Sequence, residues 1–472
     1  MGGTKGKKNI VTDTIWHPDL SQSSGPKYLA LTVALRRAIR EGELLPGEKL
    51  PPVRDMAWRL GMTPGTVARA YQLATQEGLL SGEVGRGTFV TGVSRQRFTP
   101  LIEQPPPKGQ VDLRWPALPD VGQIAAFRQS LHRLAEGVGR EWLYYPDQPA
   151  EAELRLAVLG WLSDRVLGPV AADDIALTHG GQNGILTVLQ TGLRGDRPVV
   201  MLEDLAYPGL RQAVMQMRGD PVAVEMDAEG MLPESLDLAC RRQRAQFVCL
   251  TPQAQNPTTV CMSAARRAAI VEVARRHDLQ ILEDDCYSVA DSDLPSFRAL
   301  APDRTWYVGS LSKSVSAALR FGWVVCPTGR GDEARTAAKN AFFGLGLPVH
   351  LLCLDIMTSG VGERIRQAVR QELEPRLQTV VNALGAFDLS WQPGVSFVWL
   401  RLPRGWRATS FTARAEAEGV LVRSADIYAL NTGRAPNAVR IAISGQSSRA
   451  DFDKAIARLT RLLANPPQEL SL

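Results

Sequence analysis

Apolar positions recur along the 472 residues with two different spacings, and the way the two alternate divides the chain. From Tyr28 to Ile39 the apolar residues Tyr28, Leu31, Leu35 and Ile39 keep helical spacing, and Gly42 with Pro46-Gly47 ends the run. After Pro51-Pro52 a shorter helix is expected to bury Met56, Ala57 and Leu60, until Gly61 breaks it. Thr63 then caps a third helix whose first position is Pro64 and whose inner face is Val67, Ala70, Tyr71 and Ala74. Two helices with a tight glycine turn between them have the helix-turn-helix shape. Leu79-Leu80, Gly82 and the run Gly85-Arg86-Gly87-Thr88-Phe89-Val90 predict two short strands joined by a glycine-rich tip. The front of the chain, residues 25–93, is thus expected to be an α+β winged helix-turn-helix.

Periodicity vanishes over residues 94–110, where Pro105-Pro106-Pro107 and Lys108-Gly109 mark a semi-stiff linker. From residue 111 to residue 472 apolar strands alternate with helices. The strands are Ile175–Thr178, Val199–Leu202, Phe247–Leu250, Leu279–Leu282 and Phe321–Val325, and Ala264 to Arg276 is one of the helices between them. This alternation predicts an α/β body with a mostly parallel, doubly covered sheet whose ligands gather beyond the carboxyl ends of the strands.

Composition adds a charge asymmetry. Residues 1–98 carry 14 Lys and Arg against 8 Asp and Glu, so the net +5 of the whole chain lies entirely at the front. A basic head on a neutral body points to double-stranded DNA as a partner, while the Lys5, Lys7 and Lys8 cluster is equally readable as a solvated tail. No run of 18 apolar residues is present to span a bilayer, and Met1 to Lys8 has no apolar signal core. The six cysteines lack Cys-x-x-Cys spacing and tend to lie in apolar runs, as reduced core thiols do, so a cytoplasmic protein without a membrane partner is expected.

The chemistry concentrates at Gly309-Ser310-Leu311-Ser312-Lys313, with Arg320 seven residues on, directly after the apolar run Trp306-Tyr307-Val308. One lysine among hydroxyls, backbone N–H groups and an arginine reads as an anchor for pyridoxal 5′-phosphate: Lys313 condenses with the aldehyde, and Ser310, Ser312 and Arg320 hold the phosphate. Four further segments supply what such a cofactor needs. The turn Gly180-Gly181-Gln182 offers a helix N-terminus to the phosphate. Tyr207 follows a strand and can stack on the pyridine ring, and Asp284 can keep the ring nitrogen protonated. Asn256 and Tyr287 can hydrogen-bond the 3′ oxygen. Glu283-Asp284-Asp285 has no histidine or further carboxylate cluster beside it, so no metal site is expected.

Two resemblances follow from these residues. Leu44-Leu45-Pro46-Gly47-Glu48-Lys49-Leu50-Pro51, Arg54-Asp55-Met56-Ala57, Thr66-Val67, Ala70-Tyr71, Glu77-Gly78-Leu79 and Gly85 to Val90 resemble the GntR-type winged helix. That likeness implies contacts of Arg54, Thr66 and Arg69 with the major groove and of the Arg86 wing with the minor groove. Pro64-Gly65 departs from the family's polar pair, which leaves Thr63 and backbone N–H groups as the contacts at the helix start. The body, from Val111 to Leu463, resembles the fold-type I aminotransferases of the kynurenine/α-aminoadipate branch, with a large domain and a smaller C-terminal domain. That likeness implies a homodimer, a substrate-carboxylate clamp at Arg440, and a Tyr145 that reaches the phosphate of the neighbouring subunit. Ala150, His179 and Thr259 depart from the family's usual residues.

A winged helix joined by a linker to such a body resembles the MocR subgroup of GntR regulators. The expected function is a pyridoxal-phosphate-dependent transcription regulator that senses an amine or amino acid by imine exchange at Lys313. Two alternatives stay open: an active aminotransferase carrying a DNA tether, and a regulator of vitamin B6 metabolism that senses the cofactor itself.

Overall fold

A computed structural model of the chain describes residues 16, 18, 20, 26–41, 43–45, 47–76, 79–83, 87–90, 109–145, 148–287, 293–430 and 435–466. The chain divides into two compact units on either side of residue 100.

In the first unit the three expected helices are Lys27–Glu41, Val53–Arg59 and Pro64–Gln76. Their apolar stripes meet in one core. Leu31, Leu35 and Ile39 of the first helix, Met56 and Ala57 of the second, and Val67, Ala70, Tyr71 and Ala74 of the third are all buried together. The Tyr71 hydroxyl donates to the carbonyl of Pro51 at 3.0 Å, and the buried Thr32 hydroxyl donates to the carbonyl of Tyr28 at 2.9 Å, so these polar tips have partners. Thr63 caps the third helix as its sequence position demands, its Oγ1 accepting the Thr66 N–H at 3.3 Å. The wing is an antiparallel pair, Leu80–Glu83 with Gly87–Val90, in which Leu80 faces Val90. Its tip, with Arg86, lies outside the described residues.

The second unit is built on a seven-stranded sheet. Its strand order is Ile175–Thr178, Gly322–Val325, Thr305–Ser310, Gln280–Asp284, Ala245–Leu250, Val199–Glu203 and Asp220–Val224. Gly322–Val325 runs antiparallel to both neighbours, and the other pairs are parallel, so the sheet is mostly parallel as expected. Period-two alternation covers both faces. Val200, Leu202, Phe247, Cys249 and Leu282 pack on one side with residues of helices Gly181–Gly192 and Pro208–Gln216. Met201, Val248, Leu250 and Ile281 pack on the other with helices Pro233–Arg242 and Ala264–Arg276.

The smaller C-terminal part is a four-stranded antiparallel sheet in the order Asp388–Ser390, Phe397–Arg401, Ala438–Ala442, Arg423–Ser424. Its core is continuous with that of the long helix Val361–Leu384 and the helix Arg449–Ala464. The segment Val111–Asp112 pairs in parallel with Val420–Leu421, which fastens the start of the body to this part.

The reversed strand matters for function. Its first residue, Gly322, stands opposite Ser310 on one side and Thr178 on the other. A Cβ at Gly322 would lie 2.7 Å from the carbonyl of Gly309 and 2.9 Å from Cα of Gly180. Only glycine lets the loop after Thr178 and the end of Thr305–Ser310 approach so closely.

The capping bond carries the first prediction. Thr63→Ala should weaken the third helix by about 1 kcal/mol, read as a rise of about fivefold in hydrogen exchange of the amides of Pro64–Gln76 in the full-length protein. Unchanged exchange there would show that the helix start is held by packing instead.

Candidate active site

The expected cofactor groups come together at the carboxyl ends of the strands. A cavity of about 890 Å³ is lined by Gly181, Gln182, Tyr207, Asp284, Tyr287, Ser310, Ser312, Lys313 and Arg320, nine residues singled out from sequence, among others. Gly181 and Gln182 open the helix Gly181–Gly192, which brings a helix N-terminus to this cavity. Arg320 faces the same turn. It donates to Ser312 Oγ at 3.5 Å and to the carbonyl of His179 at 3.3 Å, and a Cβ on Gly180 would stand 2.6 Å from its Nη2. The Arg320 backbone is itself left-handed, with φ 46°, a conformation that costs energy in a residue with a side chain. His179 packs edge-on against Phe342, and its burial holds the imidazole pKa below its usual range.

Lys313 is half-buried, and its Nζ donates to the carbonyl of Pro116 at 3.4 Å and lies 5.6 Å from the centre of the Tyr287 ring. Desolvation, helped by the positive charges of Arg440 and Arg320 and opposed by Cys286, pushes its pKa down to about 8. The amine is therefore far readier to act as a nucleophile near neutral pH than an exposed lysine.

Asp284 is buried at the end of its strand, with Oδ1 accepting the N–H of Cys286 at 3.1 Å, and its desolvation raises its pKa. Asp285 takes another direction. It accepts from the Tyr307 hydroxyl and lies 3.4 Å from Nε of Arg165, and burial lifts it to about 6. The two neighbouring carboxylates thus serve different partners. Glu203, at the end of another strand, is wholly buried and lifted to about 7 by desolvation.

Asn256 and Arg440 form a second, deeper group. Arg440 is 2% exposed; its Nη1 donates to Asn256 Oδ1 at 2.7 Å and its Nη2 to the carbonyl of Arg114 at 2.7 Å. Phe397 and Tyr428 each place a ring 5.2 Å from its guanidinium carbon. The Asn256 Nδ2 is buried and makes no hydrogen bond among the described residues, so it is a donor in search of an acceptor. Tyr287 is buried next to them, its ring edge-on to Phe397 at 5.3 Å.

Other expected residues stand elsewhere. Tyr145 is 76% exposed and stacks on Phe343, outside the residues that line its own chain's cavity. In the first unit Arg54, Thr63 and Arg69 are exposed and Thr66 is half-buried; Arg69 lays its guanidinium 4.2 Å over the Tyr28 ring.

Some residues of the site gave no signal in the sequence. Arg267 is buried and donates to the carbonyls of Pro252, Met262 and Pro295, which braces the loop that carries Asn256. Gln255 ties that loop to Glu203. Thr259 closes the loop with φ 66°, a left-handed position for a β-branched residue, which explains why glycine is the easier occupant there. Asp112, Trp115 and Pro116 wall the cavity from a segment next to the linker.

Comparison with known proteins defines the class. Residues 27–90 match the family described as bacterial regulatory proteins, gntR family, and residues 118–459 match aminotransferase class I and II. The chain belongs to the class I and II aminotransferase family, and with a gntR-family winged helix in front it has the MocR-type architecture.

Its relatives include the HTH-type transcriptional regulator YdeF of Bacillus subtilis, 28% identical over 95% of this chain and 96% of that protein. The HTH-type pyridoxine biosynthesis transcriptional regulator PdxR of Corynebacterium glutamicum is 29% identical over 75% of this chain and 78% of that one. Among solved structures, the α-aminoadipate aminotransferase LysN from Thermus thermophilus shares the fold with a TM-score of 0.67 at 24% identity, over 76% of this chain and 92% of that chain.

The lowered pKa of Lys313 has a measurable consequence. Its neutral amine grows in as pH rises through about 8. The rate at which pyridoxal phosphate becomes trapped on Lys313 by borohydride reduction should therefore climb up to that pH and then level off. A rate still climbing steeply beyond pH 9 would show an amine with ordinary proton affinity.

Proposed function

We propose that the protein is a DNA-binding transcription regulator that uses pyridoxal 5′-phosphate at Lys313 to sense an amine or amino acid. The observation that carries this reading is the convergence on one cavity of a half-buried lysine of lowered pKa, a helix N-terminus with Arg320, and a buried aspartate, in a chain whose front matches the gntR family. These residues fit the cofactor. Gly181, Gln182, Ser310, Ser312 and Arg320 would hold its phosphate, Asp284 its ring nitrogen, Tyr207 its ring face, and Asn256 with Tyr287 its 3′ oxygen. The unsatisfied Nδ2 of Asn256 is the kind of donor that such an oxygen requires.

When bound, the cofactor would supply an aldehyde carbon for which Lys313 and an incoming amine compete. The chain's own residues do the rest. Arg440 would meet a carboxylate on the effector, and Lys313, once displaced, remains beside the Pro116 carbonyl as a local base. Asp284 would keep a proton on the ring nitrogen, since a desolvated carboxylate gains from sharing it.

The body is proposed to act as a homodimer, with Tyr145 serving the phosphate of the other subunit, and two winged helices then meet paired half-sites. Arg54, Thr63, Thr66, Arg69 and Arg86 are the proposed DNA contacts. Residues 25–93, 94–110 and 111–472 are the proposed head, linker and body. A cytoplasmic location suits this role.

A second reading, in which pyridoxal phosphate itself is the signal, draws support from the likeness to PdxR, a regulator named for pyridoxine biosynthesis. The two readings part in one experiment. Protein loaded with pyridoxal phosphate is screened by absorbance against amino compounds, and each responder is then tested for its effect on promoter binding. An amine that shifts both the spectrum and the DNA affinity supports the sensor, whereas a response to the cofactor alone selects the second reading. Lys313→Ala should abolish the cofactor's bound absorbance band, and a band of undiminished strength in that variant would remove Lys313 from the scheme. Sustained keto-acid production from an amino donor and acceptor would make the protein an aminotransferase instead.

A further inference from the structure

We propose that Asp112 is a positioning residue: by clipping Arg114 it shapes residues 112–116 so that the carbonyls of Arg114 and Pro116 hold Arg440 and Lys313, the two cationic groups of the effector site. The inference rests on the reading of Lys313 as the reacting amine.

The geometry is specific. Asp112 Oδ1 accepts both the backbone N–H and the Nε–H of Arg114 at 2.9 Å, and Oδ2 accepts from Nη2 at 2.9 Å. A carboxylate that bonds the backbone two residues on forces a tight turn, and the guanidinium closes it from the other side. Both side chains are mostly withdrawn from water, 13% exposed for Asp112 and 19% for Arg114, so the pair is less screened than a surface ion pair.

The stretch before the turn is fixed by the small sheet. Val111 donates to the Gly419 carbonyl at 2.8 Å, Leu113 donates to that of Leu421 at 2.9 Å, and the Ala442 N–H donates to the Leu113 carbonyl at 2.8 Å. Beyond Leu113 the clip directs the turn itself, while the Arg423 guanidinium, 4.0 Å from the centre of the Trp115 ring, and the Gly445 N–H, which donates to the Ala117 carbonyl at 2.8 Å, hold the chain that follows. From there the Arg114 carbonyl meets Arg440 at 2.7 Å and the Pro116 carbonyl meets Lys313 Nζ at 3.4 Å. Proline at 116 makes that segment an acceptor without a competing N–H.

A carbonyl that accepts from an ammonium favours the charged amine. The other charged and titratable groups around Lys313 are Arg440 and Arg320, which disfavour its charge, and Cys286, which favours it. Asp284 and Asp112 line the same cavity, and the Tyr287 ring faces the amine. Loss of the clip should withdraw the Pro116 carbonyl and leave Lys313 with a lower proton affinity.

The test measures, for full-length wild type and variants, how much pyridoxal phosphate borohydride fixes on Lys313 after brief exposure, counted by mass spectrometry across pH. Asp112→Ala should move the midpoint of that profile down by about half a pH unit, as expected for one weakened hydrogen bond to a charged group. Asp112→Asn keeps an oxygen for the Arg114 N–H and Nε–H, and its midpoint should stay near that of the wild type. Equal displacement in both variants would mean that Asp112 acts through its charge alone and would overturn the proposal, as would a midpoint unmoved in Asp112→Ala. Should Asp112→Ala fail to fold, Arg114→Ala opens the clip from its other side and is expected to move the midpoint in the same direction. A wild type that fixes no cofactor on Lys313 would fail earlier, at the reading of the site, and the inference would fall with it.

Discussion

The bonds from Arg440 to Asn256 and to the Arg114 carbonyl are the constraint on which the rest of the site depends. Arg440 belongs to the small sheet, Asn256 to the loop after the inner strand Ala245–Leu250 of the large one, and Arg114 to the segment that starts the body. A guanidinium so nearly excluded from water needs partners, and here Nη1 and Nη2 each have one while the rings of Phe397 and Tyr428 lie beside the cation. Burial thus converts one side chain into a junction of three pieces of backbone. Whatever alters the partners of Arg440 acts on all three, because the charge cannot be left uncompensated.

The electrostatics of the cavity follow from the same exclusion of water. Desolvation raises the pKa of Asp284, lifts Glu203 and Glu283 to about 7 and Asp285 to about 6, and pushes Lys313 down to about 8. Acids and base are shifted toward one another and toward neutrality by one cause. The acids are kept from acting as one cluster by their partners: Glu203 is tied to Gln255, Asp285 to Tyr307 and Arg165, and Asp284 to the N–H of Cys286. Of these four carboxylates Asp284 lines the cavity, which singles it out for the role given to it under the proposed function.

The helices and strands were legible because their burial is periodic. The helix Ala264–Arg276 and the inner face of Pro64–Gln76 appear where the spacing of apolar residues places them. The grouping of the nine residues about one cavity was legible for another reason: residue types that a phosphate, an aldehyde and a protonated ring would demand stand near strand ends. The antiparallel course of Gly322–Val325 was not legible, since a short buried strand shows the same apolar run whichever way it points. Arg267, Gln255 and Arg114 escaped too. Arg267 donates to backbone carbonyls, Gln255 to a side chain on another strand, and the Arg114 carbonyl accepts from an arginine 326 residues on, and such partners leave no spacing to read. Asp112-Leu113-Arg114 does carry a local signal, an acidic residue two before an arginine after a turn-rich stretch, but so short a pattern gains meaning only from the carbonyls beyond it.

Fusion of the body to a gntR-family head sets a quantitative demand on any sensor mechanism. For an effector to change DNA affinity by tenfold, the two arrangements of the body must differ by about 1.4 kcal/mol in their effect on DNA binding, and DNA must change effector affinity by the same factor. Coupling of that size needs no large rearrangement. It is comparable to one charge-assisted hydrogen bond made in one state and lost in the other. The site holds such bonds on the segment that leads from the linker: the Arg114 carbonyl takes one from Arg440, and the Pro116 carbonyl a weaker one from Lys313. An effector carboxylate would compete with the Arg114 carbonyl for the donors of Arg440 and so would loosen the stronger of the two holds on residues 112–116, whereas a Lys313 amine freed by an effector amine would keep its place beside the Pro116 carbonyl, so that an amine without the carboxylate would leave both holds intact.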